Sequence, residues 1–134
     1  MTLKTGATAT VNTNDNSATL SGGLSGDGGL AKTGAGTLTL SGNNTYSGNT
    51  TISAGRIEIA ATGRLGAGTY AGNISNNATL IYSGTNNQTL SGIISGSGAL
   101  TQNAASTLTL SGDNTYSGAT TINVGTLLIG NGLT

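Results

Sequence analysis

Gly36-Thr37-Leu38-Thr39-Leu40-Ser41-Gly42-Asn43-Asn44-Thr45-Tyr46-Ser47-Gly48-Asn49-Thr50-Thr51-Ile52 decides how this chain folds, because it comes back. Seventy residues later the sequence reads Ser106-Thr107-Leu108-Thr109-Leu110-Ser111-Gly112-Asp113-Asn114-Thr115-Tyr116-Ser117-Gly118-Ala119-Thr120-Thr121-Ile122. Residues 21–59 and 91–129 align without a gap and share 23 identities in 39 positions. Identity of that length marks a repeat protein, and the rest of the chain is read as repeats or their decayed relatives. The whole of 1–134 is taken as one segment, with clear copies at 21–59 and 91–129 and degenerate coils at 1–20 and 60–90.

Inside the copy, Leu30–Thr33 and Thr37–Leu40 alternate side chains with period two, the pattern of a half-buried strand. Leu38 and Leu40 then face inward, Thr37 and Thr39 outward. Gly34-Ala35-Gly36 supplies the corner between the two strands, and Ser41–Asn44 the next. Thr50–Ser53 and Arg56–Ile59 repeat the plan about 20 residues on, joined by Ala54-Gly55. The seventy-residue repeat therefore contains several coils. Similar strands open near Leu3, Leu30, Thr50, Ala78, Ala99 and Thr120, which predicts about six coils at uneven spacings of roughly 20 to 28 residues.

The flanking stretches read in the same terms. Leu3–Val11 is strand, glycine corner, strand; Asn12–Asn16 is a polar loop, Ser17–Leu20 a short strand and Ser21–Gly29 a turn region. In the degenerate stretch, Thr79–Tyr82 and Thr89-Leu90 are expected strands, with corners at Asn73–Asn77 and Thr85–Asn87. Asn131–Thr134 stops in mid-pattern. Nothing has the three-to-four spacing of an amphipathic helix for three turns.

Composition narrows the function classes. Thr, Gly, Asn and Ser make up 78 of 134 residues, while Leu, Ile and Val number 26, with no Phe or Trp. So few aliphatics would suggest disorder if the net charge were high, but four basic residues balance four acidic ones. Stacked coils resolve the conflict, because each buries its neighbour's face and a thin core suffices. The lack of Pro agrees, since Pro removes a ladder donor. Eight charges summing to zero argue against an electrostatic grip on nucleic acid or an anionic membrane. Without Cys or His there are no disulfides and none of the commonest transition-metal ligands. No apolar run approaches the roughly 20 residues that span a bilayer. Met1–Thr5 does not read as a signal peptide, so a secreted protein of this kind is expected to be longer than this segment.

The string Gly-x-Gly-Thr-Leu-Thr-Leu-Ser-Gly-x-Asn-Thr-Tyr-Ser-Gly-x-Thr-Thr-Ile-x-x-Gly-x-Leu resembles the autotransporter-associated β-strand repeat, also called the passenger-associated transport repeat. It runs Gly34–Ile57 and Ala104–Leu127, with Ala104 and Ser106 in place of the two leading glycines and Ile57 in place of the final leucine of the first copy. The resemblance implies a right-handed parallel β-helix from the passenger of a bacterial type V secretion system. It further implies a secreted or cell-surface location on a Gram-negative bacterium, a role in export and surface folding, and a translocator β-barrel in the full-length protein.

Other features point elsewhere and are weighed against plain structural roles. Gly22–Leu30 with Asp27 faintly resembles the calcium-binding nonapeptide of other β-helices, but Ser97 replaces Asp27 in the second copy and a glycine turn is the reading taken. Paired-carboxylate chemistry needs two acids close together. Asp15, Asp27, Glu58 and Asp113 are expected on different coils, so no catalytic, cofactor or metal residue is assigned and the chain is read as a non-enzyme. Glu58 and Arg56 form at most a weak outward pair. Tyr46 and Tyr116 are read as corner-packing residues rather than a sugar platform. Thr37/Thr39 and Thr107/Thr109 invite an ice-binding reading, which Arg56 and Glu58 interrupt if they stack on Thr37 and Thr39. The expected function is a structural stalk that aids export. The alternatives are an adhesin-type binding module for glycan, host protein or ice, and a fibre subunit that self-associates end to end.

Overall fold

The computed structural model describes residues 1–130, and within them the chain winds as a β-solenoid of about six turns. The first coil holds β1 (Thr2–Leu3), β2 (Thr8–Asn12) and β3 (Ala18–Leu20). The second holds β4 (Ser25–Gly26), β5 (Gly29–Thr33) and β6 (Thr37–Leu40), and the third β7 (Asn43–Asn44), β8 (Thr50–Ile52) and β9 (Arg56–Ala61). Next come β10 (Arg64–Leu65), a 3-10 turn at Gly66–Gly68, β11 (Thr69–Tyr70), β12 (Ile74–Asn76) and β13 (Thr79–Gly84). The last turns use β14 (Gln88–Leu90), β15 (Ile94–Ser95), the twelve-residue β16 (Ala99–Leu110) and β17 (Thr120–Ile129).

All pairing is parallel, and it sorts the strands into three tracks along one axis. The first track stacks β2, β5, β8, β12 and β15, so that Leu30, Thr50, Ile74 and Ile94 succeed one another. In the second, Ala18, Leu38, Ile57, Leu80, Leu100 and Thr120 form one inward column, and Leu20, Leu40, Ile59, Tyr82, Gln102 and Ile122 the next. The third carries Tyr70, Leu90, Leu110 and Ile129. Its earlier rungs are β1 on β4 and β7 on β10.

Alternation does what period two requires. Leu38 and Leu40 are fully buried, and Thr37 and Thr39 lie half-exposed on the outer face. Stacking identical coils lets single aliphatics per rung build one continuous core from Leu3 to Leu110. Each fully buried aliphatic contributes roughly 1.5–3 kcal/mol. The glycine corners work as expected: Gly34 and Gly55 take positive φ, and a Cβ on Gly36 would sit 1.6 Å from the Asn16 carbonyl oxygen.

Several expectations are corrected. The step along a track is 20 residues from Leu80 to Leu100, 19 from Leu38 to Ile57 and 24 from Thr50 to Ile74; the 28-residue spacing compared Thr50 with Ala78, which belong to different tracks. Asn43–Asn44 and Ile74–Asn76 are strands rather than corners, because Asn44 and Asn76 turn inward and bond backbone. Ser21–Gly29 is not merely a turn, since it contains β4 and the buried Leu24. The stretch 60–90 is degenerate in sequence only; it forms rungs on all three tracks. The corner at Gly34–Gly36 recurs in the second copy without glycine: Ala104 and Ser106 take the two positions, and β16 passes in irregular register from its rung on β13 to its rung on β14. The interrupted pattern read at Asn131–Thr134 lies outside the described residues.

The register also yields a relation between the copies that the alignment hides. Three steps of the first track carry Leu30 only to Ile94, so its equivalent Leu100, six residues on, falls in the second track. The two aligned copies thus stand one track apart around the axis.

Candidate functional site

Among the described residues, no group of three or more His, Cys, Asp or Glu side chains comes together as metal ligands. Asp27 is exposed on the glycine turn, accepting from the Thr5 hydroxyl (3.2 Å) and the Ser47 hydroxyl (3.1 Å). It lines an open polar cleft with Thr8, Asn49 and Thr51. Glu58 lies in the second track between Thr39 and Ile81. Asp15 and Asp113 are exposed at turns of the first and last coils. Arg56 and Glu58 do stack on Thr37 and Thr39, and the row Thr19, Thr39, Glu58, Ile81, Thr101, Thr121 is accordingly mixed. On the third track Thr69, Thr89 and Thr109 do align, and Leu128 ends that row.

What the fold does assemble is a set of inward polar brackets that tie one coil to the next. Asn44 accepts from the Leu24 amide at 3.0 Å and donates to the carbonyls of Gly42 (2.8 Å) and Arg64 (3.1 Å). Asn114, its equivalent, accepts from the Ile94 amide at 2.8 Å and donates to the Gly112 carbonyl. Gln88 brackets Leu65 in the same way, accepting from its amide and donating to its carbonyl. Each bond satisfies backbone that the narrow core would otherwise strand.

Lys32 is the bracket that the sequence reading missed. It is fully buried, and its ammonium donates to the carbonyls of Thr33 (2.7 Å), Gly34 (2.6 Å) and Ala54 (3.3 Å). Desolvation holds its pKa below the ordinary lysine value. Two signals were present: Lys32 has the same parity as Leu30 in an alternating strand, and its repeat equivalent is Gln102. Gln102 Nε2 indeed donates to the carbonyls of Ala104 (3.1 Å) and Ser106 (2.7 Å), the positions equivalent to Gly34 and Gly36.

Among the described residues, Tyr46 and Tyr70 form the one aromatic pair, edge to face with centroids 5.4 Å apart. Thr50 Oγ1 lies 2.7 Å from the Tyr46 hydroxyl and 2.8 Å from that of Tyr70, which also donates to the Gly48 carbonyl. Burial raises both phenol pKa values, Tyr46 most strongly. Tyr116 keeps the bond to Thr120 at 2.7 Å but lies half-exposed. A cleft of about 290 Å³ opens beside Tyr46 and Tyr70, at the 3-10 turn where Ala67 takes positive φ. Its tyrosines are buried by the coil and present no ring face for stacking a sugar.

A parallel solenoid whose inward Asn44 and Gln88 bond backbone of neighbouring coils defines a class: a β-solenoid repeat protein. The comparisons specify it further. The sequence model of the passenger-associated-transport-repeat family matches residues 30–59 and 100–129. The matched stretches fall within the two aligned copies and begin at Leu30 and Leu100. The two matched stretches are thus similar to a repeat associated with autotransporter passengers. Neither the curated proteins nor the solved structures compared with it contain a match. Among the described residues, no helix is long and apolar enough to cross a membrane.

Proposed function

We propose that this segment is a stalk within an autotransporter passenger, displayed at or outside a Gram-negative surface, whose coil-by-coil folding aids its export through a translocator β-barrel carried by the full-length protein. One observation carries the reading. The two copies stand one track apart, so Thr37 and Thr39 face a different side from Thr107 and Thr109. A multivalent adhesin or an ice-binding face would gather its repeated residues on one side. Here the features common to both copies are the inward columns and brackets, which serve the stack itself. Low charge suits a chain that must pass a pore without sticking to it. No catalysis is assigned, since the carboxylates serve separate turns and coils.

The experiment has two arms. Fused ahead of a translocator barrel, the native segment is expected at the cell surface as a protease-resistant rod, and Leu38→Asp is expected to be displayed poorly and cleaved readily. Equal display and equal resistance would remove the folding-assisted export reading. Titration of the purified segment against glycans and host matrix proteins is expected to give no saturable binding; saturation in the micromolar range would replace the stalk with an adhesin.

A further inference from the structure

Asn43, Asn49, Asn73, Asn77 and Asn87 are each followed two residues on by Ser or Thr with no Pro between, the triplet that accepts N-linked sugar. A chain this rich in Asn, Ser and Thr supplies such triplets by composition, so their number decides nothing. Their placement does. Every one of these asparagines is exposed. Period two sets the hydroxyl residue on the same outward face and turns the residue between them inward, as at Asn49-Thr50-Thr51, Asn73-Ile74-Ser75 and Asn87-Gln88-Thr89.

All but Asn43 use the side-chain oxygen to hold the next coil. Asn49 accepts from the Asn73 amide (3.0 Å), Asn73 from Ile93 (2.9 Å), Asn77 from Ser97 (3.3 Å) and Asn87 from Thr107 (2.9 Å). A backbone N–H can meet only the oxygen of such a side chain, so each Nδ2 is turned the other way. Among the described residues, none of these Nδ2 groups has a protein acceptor, whereas Nδ2 of Asn44, Asn76, Asn86, Asn114 and Asn123 does. Not one of those five has Ser or Thr two residues on. The amide nitrogens that the fold uses and those that the triplet marks are separate sets.

We propose that Asn43, Asn49, Asn73, Asn77 and Asn87 are acceptor sites for N-linked sugar, which covers the middle coils without disturbing the stack. The co-substrate is a sugar activated as a phosphate ester. Nδ2 bonds to its C1, the C1–O bond breaks, the phosphate leaves with the electron pair, and one Nδ2 proton passes to a base of the transferase. The product amide keeps its oxygen and one N–H, so each bond accepted from the next coil survives. Eight charged side chains hydrate this long surface sparsely, and sugar adds hydration without charge. The second copy has Asp113 and Ala119 at the positions of Asn43 and Asn49, which confines the sites to residues 43–87.

Two experiments test the assignment. On the protein isolated from the cells that make it, peptide mass spectrometry is expected to place sugar masses on these asparagines. Unmodified masses at all five, or sugar on Ser and Thr alone, overturn the proposal. The second uses the purified segment, a nucleotide-activated hexose and a transferase that reads the triplet, so its outcome does not depend on surface display. The folded chain is expected to take up hexose with an unchanged melting midpoint, and Thr51→Val, Thr79→Val and Thr89→Val each to lose only the hexose two residues before. Ala78→Ser gives Asn76 a triplet of its own while its Nδ2 stays tied to the Ala99 carbonyl at 2.9 Å. Asn76 is expected to remain bare beside a modified Asn77. Hexose on Asn76 as readily as on Asn77, or a midpoint lowered by modification, overturns the proposal.

Discussion

Ile52 and Ile122 hold the same place in two copies of one sequence and live in opposite surroundings. Ile52 is sealed between Lys32 and Asn76, while Ile122 has Gln102 on one side and no further rung among the described residues on the other. Tyr46 and Tyr116 repeat the contrast, since both reach a threonine hydroxyl at 2.7 Å but only Tyr46 has a second tyrosine against it. A coil in a solenoid is half a structure. The repeat encodes one face of an interface, and its energy appears only when the following rung is present.

The largest expected effect breaks this comparison at its base. Leu38→Asp places an unpaired carboxylate between Ala18 and Ile57 and is expected to cost more than about 4 kcal/mol, whereas Thr39→Lys, outward beside Glu58, is expected to stay within about 0.5 kcal/mol. Urea melts of the two variants check it, and similar midpoints would mean the strand faces are reversed. Next, Ile52→Ala is expected to lose about 2–5 kcal/mol and Ile122→Ala less than about 1 kcal/mol. Tyr46→Phe breaks a buried hydroxyl network for about 1–2 kcal/mol, and Tyr116→Phe, with its hydroxyl near solvent, is expected to cost about 0.5 kcal/mol or less.

The smallest effect concerns Lys32 and sharpens the comparison with Gln102. Because both side chains donate to carbonyls at the same corner, Lys32→Gln is expected to change stability by no more than about 1 kcal/mol. Its signature lies in pH. A lysine whose folded pKa is lowered is penalised wherever it is protonated in both states, and that penalty disappears as pH rises through the folded pKa towards the unfolded value of 10.5. Tyr46, Tyr70 and Tyr82 act in the opposite sense. Their raised pKa values cost stability once the unfolded phenols ionise above about 10. The native chain should therefore gain stability on the alkaline approach and lose it beyond, and Lys32→Gln should keep only the loss. Thermal melts across that range decide it.

The sequence disclosed those features that period two and internal repetition encode. Leu38 and Leu40 inward, the glycine corners and the coil count all follow from alternation and spacing. The rotation between copies was hidden because it depends on the length of the coil at Arg64–Tyr70, where the 3-10 turn lengthens the step, and no pattern marks those residues. Asn44 and Asn76 were placed at corners because asparagine favours turns; here their amides bind backbone inside the stack, which composition does not distinguish. Lys32 was legible in principle, but a charge in a narrow core contradicts the usual expectation for burial, and only the neighbouring carbonyls explain it.

Parallel rungs with the copies one track apart can be read directly from backbone amide-to-α NOEs in the labelled protein. Thr101 should show cross-strand contacts to Ile81 on one side and Thr121 on the other, and Thr51 to Ala31 and Ser75. Strong α-to-α contacts of antiparallel pairing, or a Thr101 amide with no contact to the Ile81 rung, would contradict the solenoid and the stalk reading built on it.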